Sequence, residues 1–375
     1  TSSPLYGQKD KVIKANVYQD PGKKKTSIKA IREYVKNTLT DALVQAKVKV
    51  LLIGDADYFK VITGMKSAEP YLGYKCTSLC ENFDCFYIPS YRRIFIDPEN
   101  TKENIDYVFS QYKDFLNGKY IEPGSNLIKH KWFPETVEEI KEALNLLLQK
   151  NQDLTVDIET YNLRHTKARL GSIAFSWDTE GGIAFTIDHI EGDPEPKPNK
   201  EVRELLKQFF ILFNKKITFH RITYDNYVLI YQLFMESSID TKGLLHGIDV
   251  MFKNWDCTHL MAYLSLNSCT RPDLSLKSLA QEFAGNWAVD SEEIKNIHLL
   301  PREELLTYNL IDTMSTKFVK DKYEPVLDAE DQRDIYENIF KPAAVDIVQM
   351  QLTGLPVDMD EVVKARKKLE DILKP

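Results

Sequence analysis

No stretch of 18 or more apolar residues occurs in this 375-residue chain, which excludes a transmembrane helix of ordinary length. No basic leader with an apolar core opens it, so no secretory signal is read. Cysteine is scarce and odd in number: Cys76, Cys80, Cys85, Cys257 and Cys269. An odd count with two isolated members excludes a disulfide framework. Cys76-x3-Cys80-x4-Cys85 has no fourth ligand at a zinc spacing, so the thiols read as reduced, in a cytoplasmic setting. A Gly-rich phosphate loop, internal repeats and low-complexity segments are also missing. Positive charge is not in excess: 49 Lys and Arg stand against 56 Asp and Glu, for a net charge of −7. That excludes a global basic field for nucleic acid. It does not exclude a local site at which metal ions bring the positive charge.

What is present is an ordinary globular composition, 43% hydrophobic and 28% charged, long enough for two or three domains. Residues 1–26 read as a polar arm ending in Lys23-Lys24-Lys25, a solvated run with a DNA-touching patch as its alternative. Residues 27–117 read as a small α/β domain. "SIKAIREYVKNTLTDALVQA" is helical, "KVKVLLIGDADYF" is a strand turning at Gly54, and "FDCFYIPSY" and "RRIFID" are strands. "PENTKENIDYVFSQYKDFL" is a helix capped by Asn100 or Thr101. A linker and an amphipathic helix with Pro134 near its start occupy 118–150. Then come three consecutive strands, "LTVDIET", "RLGSIAFSW" and "GGIAFTID". Beyond them helices alternate with shorter strands: "KITFH" is a strand, "GIDVMFKNWDCT" mainly strand, and "SLKSLAQEFAG" one helix. A long helix over "PREELLTYNLIDTMSTKFVKDKY" opens with Pro301 at its first position and closes on lysines.

Asp157 and Glu159 stand two residues apart in "DLTVDIETYNL". In a strand such residues share a face, so two carboxylates project together beside a core. Like charges repel there, and burying them without partners is costly. Asp225 follows 68 residues later at the start of a helix, and Asp312 another 87 later on the long helix. Tyr308 lies one turn before Asp312 on the same helix face. Taken singly, these are a strand edge, a helix N-terminal acid and a surface pair. Brought together, four acids demand counter-charge. Hard oxygen ligands favour Mg²⁺ or Mn²⁺, and two ions about 3.5–4 Å apart clamp the attacking and leaving oxygens of a phosphodiester. Tyr308 would orient the bound water, and the reaction class is metal-assisted phosphodiester hydrolysis.

In that order, "DIE", "HRITYD" and "YNLID" resemble the three exonuclease motifs of DnaQ-like 3′-5′ exonucleases of the DEDDy type. The resemblance spans residues 151–325 and implies an α/β fold of the DnaQ/ribonuclease H type, a mixed sheet flanked by helices, here preceded by the small α/β domain. It implies two ions bridged by Asp157, with Glu159 and Asp312 on the water-bearing metal, Asp225 supporting the second, and Tyr308 orienting the nucleophile. Thr160 and Leu163 match positions that bind and wedge the terminal nucleotide in polymerase members. His220 and Asn226 flank the second motif, where they hold neighbouring groups, and are assigned to the DNA side with them. Arg221 departs from the family, which usually has Asn four residues before the second-motif Asp. A guanidinium grips phosphate, so a single-strand contact is expected, with a surface salt bridge as the alternative. Asp256 in "WDCTHLMAYL" reads as a helix cap or a group backing the ligands. His165, His189, His246 and Cys257 form no metal spacing.

"NIFKPAAVDIVQMQLTGLPVDMDEVVKARKKL" resembles the segment joining exonuclease to polymerase in family A DNA polymerases, so 326–375 reads as the start of a polymerase region. "VLLIGDADYFKVITG" and "ENIDYVFSQYKDFLNGK" resemble the part preceding the exonuclease in phage polymerases of the T-five type. With Thr1 rather than Met at its start, the sequence reads as a portion of such a polymerase. The small domain vaguely resembles a uracil-DNA glycosylase-like fold without its catalytic pair, and reads as a non-catalytic module touching DNA through Tyr91, Arg92 and Arg93, or a replication partner. Expected partners are a frayed or single-stranded DNA 3′ end and the rest of the polymerase in cis, in the cytoplasm of a phage-infected host and with no membrane. Two alternatives stand: a DEDDy ribonuclease, which shares every site residue, and a catalytically silent exonuclease-fold scaffold.

Overall fold

The computed structural model describes residues 27–80, 83–266, 272–287, 293–355 and 357–373, and the Lys23–Lys25 run lies outside them. The chain divides into two compact units, one of residues 27–125 with 281–287, the other of 126–280 with 293–373.

In the first unit, Ser27 caps α1 (Ile28–Tyr34), which passes through a π-turn at Val35–Leu39 into α2 (Thr40–Gln45). β1 (Val50–Ile53) leads into α3 (Ala56–Thr63), capped by the Asp55 carboxylate and ended by Gly64 at φ 80°, a left-handed turn that favours glycine. β2 (Cys76–Thr77) and β3 (Asp84–Tyr87) complete a sheet of order β1-β3-β2, with β1 parallel and β2 antiparallel to β3. α4 (Pro98–Leu116) follows, and Phe59, Phe86 and Val108 lie in the core. Two expectations change here. "RRIFID" is no strand: Tyr91–Phe95 is a 3₁₀ helix, and residues 91–96 are all exposed. Its apolar residues are consecutive rather than alternating, so a strand there would have no face to bury. The cap of α4 is Asp97, which accepts from the Asn100 N–H with Pro98 in the first turn, and not Asn100 or Thr101.

The second unit opens with β4 (His130–Trp132) and α5 (Val137–Lys150). Thr136 and Glu139 form a reciprocal capping box, and Ile140, Ala143, Leu144 and Leu147 face the core. β5 (Leu154–Thr160), β6 (Leu170–Ser176) and β7 (Gly181–Thr186) are the expected antiparallel meander. After α6 (Lys200–Leu212), β8 (Ile217–Phe219) joins β5 in parallel. Then come α7 (Ile222–Phe234), α8 (Thr241–Met251) and β9 (Trp255–Cys257), giving the mixed sheet β4-β7-β6-β5-β8-β9. "GIDVM" is thus the end of a helix, and the strand is only Trp255–Cys257. Leu244, Ile248 and Met251 recur at helical spacing, and the Asp240 carboxylate accepts from Gly243 N–H at 2.9 Å to start the turn.

α9 (Thr258–Ser265) is followed by α10 (Leu276–Leu279) and α11 (Gln281–Ala284), two short helices where one was expected, α11 belonging to the first unit. α12 (Arg302–Ala329) runs past its lysines, and Pro301 is its N-cap rather than its first helical residue. α13 (Arg333–Ile335) and a π-turn at Tyr336–Phe340 lead to α14 (Lys341–Thr353), then Gly354 and α15 (Met359–Leu373). No helix among the described residues is long and apolar enough to cross a membrane.

Candidate active site

β5 has two unlike faces. Leu154, Val156 and Ile158 are buried in the main core. Thr155, Asp157 and Glu159 alternate with them and face α12, where the Thr155 hydroxyl donates to the Thr313 carbonyl at 3.0 Å. Ala174 pairs with Asp157 and Ser172 with Glu159 across β6, which keeps that face shallow. The pairing shifts between Glu159 and Thr160, a bulge that ends the regular ladder at the second acid. Gly171 is required beside it, because a Cβ there would lie 2.9 Å from the Glu159 carbonyl oxygen and 2.4 Å from Ile297.

Asp157, Glu159 and Asp312 each offer a carboxylate oxygen within 4.8 Å of the others. Asp225 is not part of that trio; it is buried in the first turn of α7, close enough for its charge to act on Asp157 and Glu159. Burial pushes Asp225 up to about 8, although backbone hydrogen bonds at Asp225 and Ile158 pull the other way. Glu159 is also pushed up to about 8, by burial first and then by Asp312. Asp157 is held well above the carboxylate range by burial and by Asp312, Glu159 and Asp225. Asp157 and Glu159 therefore resist ionising, through burial first and then through their acidic neighbours, as expected of clustered carboxylates. Tyr308 is half-buried one turn before Asp312, and burial pushes its phenol far above its ordinary range, so the hydroxyl stays protonated.

Three residues not singled out by sequence complete this surface. Lys277, on α10, is ion-paired with Asp312 and sits 4.5 Å above the centre of the Tyr308 ring. Its charge lowers both Asp157 and Glu159. Asn309 donates from Nδ2 to Asp157 Oδ2 at 2.7 Å and accepts from the Ser172 hydroxyl at 3.1 Å. In sequence, Lys277 looks like a solvated helix lysine and Asn309 like any polar neighbour of Tyr308. The only available signal was that Asn309 interrupts the apolar run of α12, where Leu305, Leu306, Leu310 and Met314 are buried with it.

The residues expected on the DNA side divide into two groups. Leu163 is 80% exposed on the turn after β5, and Arg221 is exposed at the start of α7. Thr160 is half-buried, its hydroxyl 2.7 Å from that of Tyr224. His220 and Asn226 do not face outward. His220 is buried, with Nδ1 2.9 Å from the Thr258 hydroxyl and Nε2 3.0 Å from the Leu274 carbonyl. A carbonyl only accepts, so Nε2 carries the proton; burial pushes the ring down to about 3, and it stays neutral. His220 thereby anchors the loop three residues before Lys277. Asn226 is fully buried and donates to the Met251 carbonyl at the end of α8. Asp256 is not a helix cap. It is fully buried on β9, paired with Lys216 at 2.8 Å and with Lys320 and Lys341 at 3.6 Å, and it accepts from the Tyr336 hydroxyl.

The trio offers only hard oxygen donors, and an added cation would stabilise the ionised forms of Asp157 and Glu159. The residues therefore fit Mg²⁺ or Mn²⁺ and not a soft metal. The chain is similar to several solved structures. The catalytic core of RRP6 from Trypanosoma brucei is 16% identical with a TM-score of 0.41, covering 61% of this chain and 54% of its own. NrnC of Brucella melitensis with bound Mg²⁺ is 17% identical with a TM-score of 0.38, covering 60% and 92%. RNase D of Escherichia coli, an exoribonuclease involved in structured RNA processing, is 12% identical with a TM-score of 0.36, covering 60% and 52%. No curated protein sequence matches the chain. A family model does match, over residues 133–328, more than half of the chain and the segment that carries every acid of the site: the chain belongs to the 3′-5′ exonuclease family.

Proposed function

We propose that this exonuclease removes nucleotides from frayed or single-stranded DNA 3′ ends, as the proofreading portion of a family A DNA polymerase of the T-five phage type. The observation that carries the hydrolytic reading is the convergence of Asp157, Glu159 and Asp312 within 4.8 Å, flanked by a protonated Tyr308. The DNA and polymerase reading is supported by the sequence of the tail, which forms a helix, a Gly354 turn and a second helix.

Asp157, Glu159 and Asp312 would hold one ion, and Asp157 with Asp225 a second. Bound there, divalent ions supply a nucleophilic water at neutral pH and neutralise charge on the phosphate. The chain's own residues do the rest. Tyr308 donates from its hydroxyl and so orients the attacking oxygen rather than deprotonating it. Lys277, anchored through His220 and Leu274, places a fixed positive charge at Asp312. Leu163 is the wedge against the terminal base, Thr160 a nucleotide contact, and Arg221 the phosphate contact on the strand leading in. Mismatched ends fray more readily, so selectivity follows from the cost of melting and needs no base readout.

The test is hydrolysis of end-labelled single-stranded DNA and of RNA of the same sequence, with Mg²⁺, beside Asp157→Ala. Release of mononucleotides from the DNA 3′ end, slower in the variant by about 10²–10³-fold or more on the scale of losing one catalytic group, is the expected result. Preference for RNA would move the assignment to a ribonuclease, and metal binding without turnover to a scaffold.

A further inference from the structure

We propose that Asn309, backed by Ser172, is the positioning residue that presents the Asp157 carboxylate to metal. This rests on the exonuclease reading above. With a cation bound, the Asp157 carboxylate is ionised and can only accept hydrogen bonds. The Asn309 side chain lies 2.7 Å from its Oδ2, so the group facing it is the amide nitrogen. That orientation turns the Asn309 oxygen to the Ser172 hydroxyl, which donates at 3.1 Å. Both Asn309 and Ser172 are fully buried, so no water competes for the bond between them.

The chain of contacts crosses three elements, from Ser172 on β6 through Asn309 on α12 to Asp157 on β5. Ser172 lies opposite Glu159 in the β5–β6 pairing, and its side chain points to the acid-bearing face. The terminal torsion of a free Asp is broad and two-fold. One fixed bond to Oδ2 removes that freedom and leaves Oδ1 available to a cation. A hydrogen bond to a carboxylate also favours its charged form, against the burial that raises Asp157. Without Asn309, Asp157 would keep its negative neighbours and lose its neutral donor.

The experiment measures Mn²⁺ binding to the full chain without nucleic acid, by electron paramagnetic resonance of the free ion. The Mg²⁺ dependence of single-strand hydrolysis is measured beside it. The variants are Asn309→Leu, which keeps the volume and removes the donor, Ser172→Ala, and Asp157→Ala as the control that loses the ligand. Partners that orient metal ligands are typically worth 10–100-fold in affinity. Asn309→Leu is therefore expected to bind Mn²⁺ about 10–100-fold more weakly, with Ser172→Ala between it and wild type. The Mg²⁺ needed for half-maximal hydrolysis rises by a similar factor, while turnover at saturating Mg²⁺ falls much less. A purely structural role would lower the melting temperature and leave the metal dependence of the folded fraction unchanged. Wild-type affinity in Asn309→Leu overturns the proposal, as does a wild type that binds no better than Asp157→Ala. Should Asn309→Leu fail to fold, Ser172→Ala decides alone, and unchanged binding there overturns it. A wild type that binds Mn²⁺ but leaves DNA and RNA 3′ ends intact defeats the exonuclease reading, and the Mn²⁺ series still decides on Asn309.

Discussion

Asp157 and Glu159 are held side by side by what surrounds them rather than by any attraction between them. Asn309 and Lys277 supply a neutral donor and one positive charge, and the remaining repulsion is left to a metal. Repulsion of this kind has a pH signature. Glu159 has its carboxyl pushed up from 4.5 to about 8. Between those values the folded, metal-free chain holds a proton there that the unfolded chain releases, so this group's contribution to stability falls as pH rises through about 8. Glu159→Gln removes the titration. Melted in EDTA, it is expected to be more stable than wild type, by a margin that grows from pH 6 to pH 9 and shrinks when Mg²⁺ is added. A margin independent of pH would show that Glu159 does not carry the repulsion. The convergence of Asp157, Glu159 and Asp312 was legible in sequence through the order of their motifs, strand then long helix, and not through any one position taken alone. Lys277 and Asn309 were not, because their role comes from tertiary contacts to Asp312 and Asp157 that leave no local pattern. His220 holds neighbouring groups, as its place beside the second motif suggests, but that place says nothing of the Leu274 carbonyl that turns it away from the DNA side.

Elements were legible where one apolar period dominated. The helices α5 and α12 follow from helical spacing, and the strands β5, β6 and β7 from short apolar runs bounded by turn residues, β6 being buried along its whole length. "GIDVM" misled because a short apolar run fits either period, and only the Asp240 cap and the spacing of Leu244, Ile248 and Met251 decide for helix. What ties β9 to the last helices was not legible either. Asp256 on β9 meets Lys216 just before β8, Lys320 on α12 and Lys341 on α14, and none of these is an i,i+4 pair. Removing one member of a buried charge network leaves the others uncompensated and costs about 3–5 kcal/mol. Asp256→Ala is expected to lose that much in urea unfolding, and added salt should recover little of it. A loss under about 1 kcal/mol would mean the lysines turn to solvent, as exposed pairs do. The capping box of α5 works on a smaller scale. Thr136→Ala leaves the Glu139 N–H without its acceptor and should cost about 1 kcal/mol in the same assay.

For the whole molecule the governing quantity is charge. A chain of net charge −7 repels a polyanion at long range, so any hold on a single strand comes from local cations and bound metal. Arg221 is an exposed cation within the second motif, four residues before Asp225 and close enough for its charge to act on His259. If it grips one phosphate, it contributes one released counterion, and each such contact on a single strand steepens the plot of log K against log salt by about 0.7. Binding of a short single strand to Asp157→Ala, which keeps the substrate intact, measures that slope. Adding Arg221→Ala is then expected to weaken binding and flatten the slope by about 0.7, to the same extent on every sequence, because a phosphate contact carries no base information. An unchanged slope removes Arg221 from the path of the strand and makes it a surface residue, and the hold on DNA would then fall to the metals, Lys277 and the stacking of bases alone.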